Sequence, residues 1–270
     1  MTLSPPERPA ASGKRSRRML AILELLAERE SIELEALAAE LAVSPATARR
    51  DLADLADQRL LLRTHGGARL LESRTEVPVA LRDSRNQEAK RAIATAVAAL
   101  VPKQRYAVAL SGGTTTASVA RALASHGELT IVTNSLTIAQ LVTTHPQLKV
   151  IMTGGALRHE SLELVGVLAE NTFKAINLGM AILGADGVSP SGGVTTHDET
   201  EARTNSAMVQ HAQRVIVVAD GSKLGRAALA PVATLDEVDL LITDETADPD
   251  AVAALRAAGL EVRIVPAARG

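Results

Sequence analysis

Apolar side chains recur at Met19, Ile22, Leu23, Leu25 and Leu26, the spacing of one face of an α-helix. A second segment starts at Ser31, with Leu34, Leu37, Ala38 and Leu41 on one face and Glu33, Glu35 and Glu40 off it. Val43-Ser44-Pro45 breaks that run. The Ser44 hydroxyl can accept a free backbone N–H, and proline at the first helical position loses nothing by lacking one, so a third helix is expected from about Pro45 to Asp57. Leu60–Leu62 and Ala68–Leu70 flank Gly66-Gly67, which predicts a β-hairpin. Three short helices, a tight break and a hairpin describe a winged helix-turn-helix over residues 14–70, after a flexible, proline-bearing tail over 1–13.

Residues 71–85 are charged, contain Pro78 and show no clear period; they read as a linker. From Asn86 the pattern changes. Glu88–Leu100 has helical spacing and stops before Pro102. Seven short apolar runs follow: Tyr106–Leu110, Leu129–Thr133, Val150–Thr153, Met180–Gly184, Val215–Asp220, Leu240–Asp244 and Val262–Val265. Helical or glycine-rich stretches separate most of them, so residues 86–270 are expected to form a mainly parallel α/β domain.

Composition narrows the function classes. The chain has 270 residues, enough for one large domain or two unequal ones. Its longest apolar runs fall far short of the roughly 20 residues that cross a bilayer. The opening residues carry prolines and charges without an apolar stretch, so no secretory leader is expected. There is no cysteine, which excludes disulfides, a thiol nucleophile and a Cys-ligated zinc site, and fits a cytoplasmic protein. One Tyr, one Phe and no Trp leave no platform for stacking single-stranded bases. Residues 1–72 hold 11 Lys and Arg against 11 Asp and Glu, and the remainder 18 against 20, so any DNA binding must rest on locally placed arginines.

The third helix offers such a placement. Ala48, Leu52 and Leu55 share the face that would pack inward. Ser44, Thr47, Arg49 and Arg50 then crowd the outward N-terminal half, with small Ala46 permitting close approach. Arginine forks and a hydroxyl suit guanine edges and phosphates in a major groove. The plainer reading is a solvated face in which Arg49 or Arg50 pairs with Asp51 or Asp54. On the hairpin, His65 and Arg69 are candidates for the minor groove or the backbone. Ser44-Pro45-Ala46-Thr47-Ala48-Arg49-Arg50-Asp51-Leu52, followed by Arg63-Thr64-His65-Gly66-Gly67-Ala68, resembles the T-x-R-R-D-L recognition helix and H-G-G-A wing of the DeoR family of bacterial transcriptional repressors. The resemblance implies a double-stranded operator as partner.

In the second domain, Leu110-Ser111-Gly112-Gly113-Thr114-Thr115-Thr116 follows a strand and precedes a helix. Two glycines admit a ligand to the backbone, and threonine hydroxyls with helix N-terminal N–H groups suit a phosphate. Neither a Walker pattern nor G-x-G-x-x-G is present, so no nucleotide is indicated. Further turns follow apolar runs at Thr133-Asn134-Ser135, Thr153-Gly154-Gly155, Gly184-Ala185-Asp186-Gly187 and Ala219-Asp220-Gly221-Ser222-Lys223. In a parallel sheet such turns share the carboxyl edge, where ligands bind. Gly112, Gly113, Thr114, Thr115, Thr116, Asn134, Ser135, Gly154, Gly155, Asp186 and Lys223 are therefore the candidate site for a small anionic polyol. Lys223 would meet the phosphate or an oxygen, and Asp186 the sugar hydroxyls. This half is similar to the DeoR effector domain, whose fold resembles ribose-5-phosphate isomerase. Two departures from that family are visible: Ser111 where an acidic residue is usual, and Thr195-Thr196-His197-Asp198-Glu199-Thr200-Glu201 where T-T-P-N-E-E-E is frequent.

An isomerase-like enzyme on sugar phosphates, with an appended helical domain, is the alternative. It would need a carboxylate base and an electrophilic partner, from among Asp186, Glu199, Glu201 and Lys223. Glu199 and Glu201 fall on different faces if Asp198 starts a helix, and the lysine expected soon after the Gly-Ala-Asp stretch is absent. No catalytic residue, cofactor or metal is therefore assigned. The six histidines show no ligand spacing, and His197-Asp198-Glu199 fits a helix start with acidic first-turn residues. The resemblance implies a repressor of a carbohydrate uptake or catabolism operon, released by a phosphorylated sugar or polyol. A homodimer or homotetramer would place two DNA-binding modules on one operator, because one neutral module makes few phosphate contacts.

Overall fold

The structure is a computed structural model that describes residues 13–29, 31–58, 60–70, 79–82 and 86–266. The chain divides into two compact units, residues 1–85 and 86–270.

In the first unit, α1 (Gly13–Arg29), α2 (Leu34–Glu40) and α3 (Pro45–Asp57) enclose an aliphatic core of Met19, Ile22, Leu23, Leu26, Leu37, Ala48, Leu52 and Leu55. Helix α1 starts earlier than its apolar stripe, so the basic run Lys14–Arg18 is helical. Residues 1–12 of the expected tail lie outside the described residues. Ser31 does not begin a helix. Ser31–Glu33 form strand β1, because they pair antiparallel with β3 (Gly67–Leu70), which in turn pairs with β2 (Leu61–Arg63). Gly67 is needed there: a Cβ would fall 2.0 Å from the Ile32 carbonyl oxygen. The hairpin is thus the wing of a three-stranded sheet in the order β1-β3-β2. Within the stretch read as linker, Val79–Arg82 form a short helix, α4, with Val79 buried. Residues 71–78 and 83–85 lie outside the described residues.

The second unit opens with α5 (Gln87–Ala98), then alternates through β4 (Tyr106–Leu110), α6 (Thr114–Ala122), β5 (Leu129–Thr133), α7 (Leu136–Val142) and β6 (Lys149–Met152). A hairpin, β7 (Ala156–Arg158) and β8 (Glu163–Val165), leads to α8 (Val167–Lys174) and β9 (Met180–Gly184). Next come β10 (Gly187–Ser189), β11 (Gly193–Thr196), α9 (Glu199–Gln210), β12 (Val215–Val218), β13 (Ala230–Ala233), β14 (Leu240–Asp244), α10 (Pro249–Ala257) and β15 (Val262–Val265). All seven expected apolar runs enter one parallel sheet, in the order β15-β14-β12-β9-β4-β5-β6. Both faces are covered: α5, α6 and α7 pack on one, and Phe173, Met208 and Leu255 from α8, α9 and α10 belong to the core on the other. The apolar pattern does not predict the β7–β8 hairpin or the antiparallel sheet β10-β11-β13. Their strands have three or four residues, too few for alternation to register.

Strand order fixes where a ligand can enter. From β4 the chain moves outward through β5 and β6, then returns to place β9 on the other side of β4. The switch point therefore lies between β4 and β9, and the carboxyl ends of those strands are where open α/β sheets of this kind bind ligands. Ser111 spans the switch point: its backbone N–H donates to the Ile182 carbonyl at 3.2 Å, and its Oγ accepts the Gly184 N–H at 3.0 Å.

Candidate functional site

In the first unit the candidate site is the front of α3 and the wing. Ser44 caps α3: its Oγ accepts the Thr47 N–H at 3.2 Å and lies 2.9 Å from the Thr47 hydroxyl. Ala48, Leu52 and Leu55 are buried as their spacing predicts, and Asp51 is buried with them. Asp51 accepts from the Arg18 guanidinium, including Nη2 at 3.1 Å, and Arg15 Nε stands 3.6 Å away. Arg15 also pairs with Asp54. The plainer reading of α3 is thereby corrected. Both aspartates are engaged by α1, and among the described residues Arg49 and Arg50 have no acidic partner. Arg49, Arg50, Ala46 and Ser44 are exposed, and Thr47 is half-buried. The wing exposes Arg63, Thr64, His65 and Arg69, and Arg69 makes a further interaction. The basic run on α1 divides by helical phase: Arg15 and Arg18 hold α3, while Lys14 and Arg17 face solvent.

In the second unit the candidate site lies at the switch point, beyond the carboxyl ends of β4 and β9. Gly112 and Gly113 turn the chain from β4 into α6. Gly113 has φ 113°, open only to glycine at little cost, and Gly112 is needed for close approach. The first N–H groups of α6 have no partner within the helix, and the Thr114 and Thr115 hydroxyls make no hydrogen bond among the described residues. Thr116 differs. Its hydroxyl donates back to the Gly112 and Gly113 carbonyls at 2.8 and 3.0 Å, bracing the loop instead of facing a ligand. Ser135 is likewise local, accepting the Ile138 N–H as the cap of α7. Gly155, at φ 133°, lets β7 pass within contact of the Val165 carbonyl, and Gly154 is exposed beside Leu168. Asn134 is fully buried, and neither of its amide atoms makes a hydrogen bond of ordinary geometry.

Opposite the loop stands a row of carboxylates that connects the remaining candidates. Asp186 lies 3.5 Å from Lys223 Nζ and 4.0 Å from His197 Nε2, and accepts the Thr196 hydroxyl at 3.1 Å. The same hydroxyl lies 2.6 Å from Glu201 Oε1, and Arg158 Nη1 is 3.1 Å from Glu201 Oε2. Glu163 completes the row at the loop, its Oε1 accepting the Gly112 N–H at 2.6 Å. Asp198 caps α9 through the Thr200 and Glu201 N–H groups, which turns Glu201 inward and leaves Glu199 exposed. Burial holds the Glu163 carboxyl above its ordinary pKa, opposed by the Gly112 N–H and by the neighbouring Ser161, Glu201 and Asn134 side chains. Glu201 is raised well above the ordinary range, first by burial and then by the charge of Glu163; Thr196 and Arg158 act the other way, and Asp186 adds to the rise.

Gly112–Thr115, Asp186 and Lys223 are thus linked through side chains that the sequence pattern does not select for an effector, namely Glu163, Thr196 and Glu201. A signal exists for two of them. Glu163 is an acid inside the apolar run Leu162–Val165, and Glu201 shares a helix face with buried Asn205 and Met208. Nearby on the same sheet edge, Asp220 caps the turn Gly221–Lys223 and accepts from Asn86 Nδ2 at 3.1 Å, while Asp244 accepts the Gly221 N–H at 2.8 Å.

Comparison with known proteins matches both units. Residues 18–74 match the DeoR-like helix-turn-helix domain, and residues 85–245 match the DeoR C terminal sensor domain. The HTH-type transcriptional regulator GlpR of Haloferax volcanii is 39% identical over 243 residues, 89% of this chain and 94% of that one. The glycerol-3-phosphate regulon repressor of Escherichia coli K12 is 35% identical over 231 residues, 86% and 91% of the two chains. Among solved structures, ribose 5 phosphate isomerase A from Neisseria gonorrhoeae aligns at a TM-score of 0.37 and 17% identity, over 50% of this chain and 52% of that one, too distant a likeness to speak to chemistry.

Proposed function

The chain belongs to the DeoR family of transcriptional regulators, and from that premise we propose that it represses a carbohydrate uptake or catabolism operon and leaves its operator when a phosphorylated sugar or polyol binds. As a member of that family it is a DNA-binding regulator and not an enzyme. Ser44, Thr47, Arg49 and Arg50 read the major groove, with His65 and Arg69 on the flanking DNA. Support comes from the engagement of Asp51 and Asp54 by α1, which leaves both α3 arginines available to phosphates and base edges.

The effector binds at the switch point. Its phosphate meets the α6 N-terminus at Gly112–Thr115, and its hydroxyls meet the row from Glu163 to Asp186, with Lys223 at the far end. The observation that carries this reading is that row, since it joins a donor-rich loop to buried acceptors at the switch point. Asn134 and Thr153, buried with polar atoms unpaired, add partners for a polar ligand. A homodimer or homotetramer places two wings on one operator. Val167 and Leu168, 67% and 66% exposed at the start of α8, offer apolar surface for a second copy. Among the described residues no helix is long and apolar enough to cross a membrane; the regulator acts in the cytoplasm, where its operator is.

The test is fluorescence anisotropy at fixed salt on DNA from immediately upstream of the chain's own gene, against a random duplex, with and without a pool of phosphorylated sugars and polyols. Selective binding released by the pool is expected. Arg50→Ala should cost about 1–3 kcal/mol of specific binding. Lys223→Ala should keep DNA affinity and blunt the release. Equal affinity for both duplexes across neighbouring promoters would refute the repressor reading, and release unaltered in the Lys223 variant would move the pocket elsewhere.

A further inference from the structure

The β4–α6 loop carries an occupant supplied by the protein itself. Glu163 reaches it from β8, is 2% exposed, and sets Oε1 2.6 Å from the Gly112 nitrogen. The fit is close: a Cβ on Gly112 would lie 2.3 Å from the Glu163 Cδ. Arg158 is within salt-bridge distance of Glu201 and Asp198, and Lys223 of Asp186, whereas Glu163 has no cation within that distance among the described residues. Beside Glu163 lies Asn134, completely buried, with both amide atoms lacking a hydrogen bond of ordinary geometry. A loop of backbone donors that draws an anion therefore stands against a buried carboxylate that repels one.

We propose that Glu163 is a specificity-determining residue of the effector site, whose carboxylate on the Gly112 N–H rejects bare inorganic phosphate and admits a phosphorylated ligand that brings it a hydroxyl donor. The inference rests on the reading above that Gly112–Thr115 receive the phosphate. Inorganic phosphate would gain the N–H groups of α6 but would meet a carboxylate that has no cation beside it among the described residues, in a place where solvent screens little. A phosphorylated polyol gains the same N–H groups and also places a hydroxyl hydrogen on Glu163. Its hydroxyl oxygen can accept from the Asn134 amide, so both buried groups are satisfied together. Selectivity comes from a repulsion that only the right ligand relieves. A sensor of phosphorylated metabolites needs this, because inorganic phosphate offers the same three oxygens.

The experiment is isothermal titration of inorganic phosphate into the full-length protein and its Glu163→Gln variant. The substituted amide has the same shape as the carboxylate and still accepts the Gly112 N–H, and melting curves check that the variant is folded. Glu163→Ser, shorter and neutral, serves as the second variant. The neutral variants should bind inorganic phosphate about tenfold tighter or more than the wild type, and the gain should vanish when Thr115→Ala is added. Equal phosphate affinities overturn the proposal, as does a gain that survives Thr115→Ala. A wild type whose melting point rises with a pool of phosphorylated sugars and polyols, beside neutral variants that still ignore inorganic phosphate, overturns it while sparing the loop reading. No response of any variant to phosphate or to the pool overturns the loop reading, and this inference with it.

Discussion

The two units treat a buried carboxylate in opposite ways. In the first, Asp51 is 1% exposed and satisfied by guanidinium groups from another helix, Arg18 and Arg15. In the second, Glu163 is equally hidden, yet it has only neutral donors beside it, the Gly112 N–H at 2.6 Å foremost, no cation within salt-bridge distance among the described residues, and another carboxylate, Glu201, as neighbour. A satisfied pair fixes geometry, because each partner penalises any other arrangement of the two helices. An under-satisfied pair leaves a free-energy difference that a third party can close. On the function proposed above, the first unit must present Arg49 and Arg50 at fixed phase, whereas the second must change its state when a ligand arrives.

The largest effect expected from breaking this contrast is in the first unit. Asp51→Ala should destabilise it by about 3 kcal/mol, the low end for opening a buried ion pair, because Arg15 and Arg18 can reach water. Calorimetric melting and operator affinity should fall together; a loss of affinity at unchanged stability would show that Asp51 acts on DNA and not on the α1–α3 packing. In the second unit, Gly112→Ala forces a Cβ into the Glu163 carboxyl group, an overpacking that typically costs about 1–3 kcal/mol. The effector response should be lost with operator binding kept, and an intact response would mean that the loop and Glu163 are not joined as described. Removing the cap with Ser44→Ala should cost about 1 kcal/mol of stability, read from a denaturation midpoint, and on the proposed reading, in which the same hydroxyl meets the operator, operator affinity should fall further.

The smallest effect is a pH dependence that belongs to the second unit. Glu163 and Glu201 have folded-state pKa values raised above their unfolded ones. Between those values the folded state holds the extra protons, so stability is greatest below the ordinary carboxylate range and declines as pH rises through the raised values. Denaturation midpoints across that window should fall with pH for the wild type and flatten in Glu201→Gln. An unchanged slope in that variant would place the titration elsewhere.

Much of this is written in local pattern. Ser44-Pro45 sets the start of α3 by a cap and a fixed φ, both properties of adjacent residues, and α3 runs from Pro45 to Asp57 as expected. Seven apolar runs in Asn86–Val265 become seven parallel strands, because burial on both faces demands continuous apolar sequence. What local pattern does not reach is partnership across the chain. Adjacent charges suggest that Asp51 and Asp54 would pair with Arg49 or Arg50, but helix phase sends Asp51 inward, to arginines that lie 33 and 36 positions earlier. Ser31–Glu33 carry nothing that distinguishes a strand from a helix start, and their pairing with β3, over 30 residues away, decides it. Glu163 meets Gly112 across 51 residues only because the strand order brings the β7–β8 hairpin to the switch point beside β4. The sequence by itself determined the main helices, the seven parallel strands and the family, since those depend on spacing within a few turns of chain. The tertiary structure alone decided which carboxylates are answered and which are left waiting, because burial and charge pairing depend on neighbours in space.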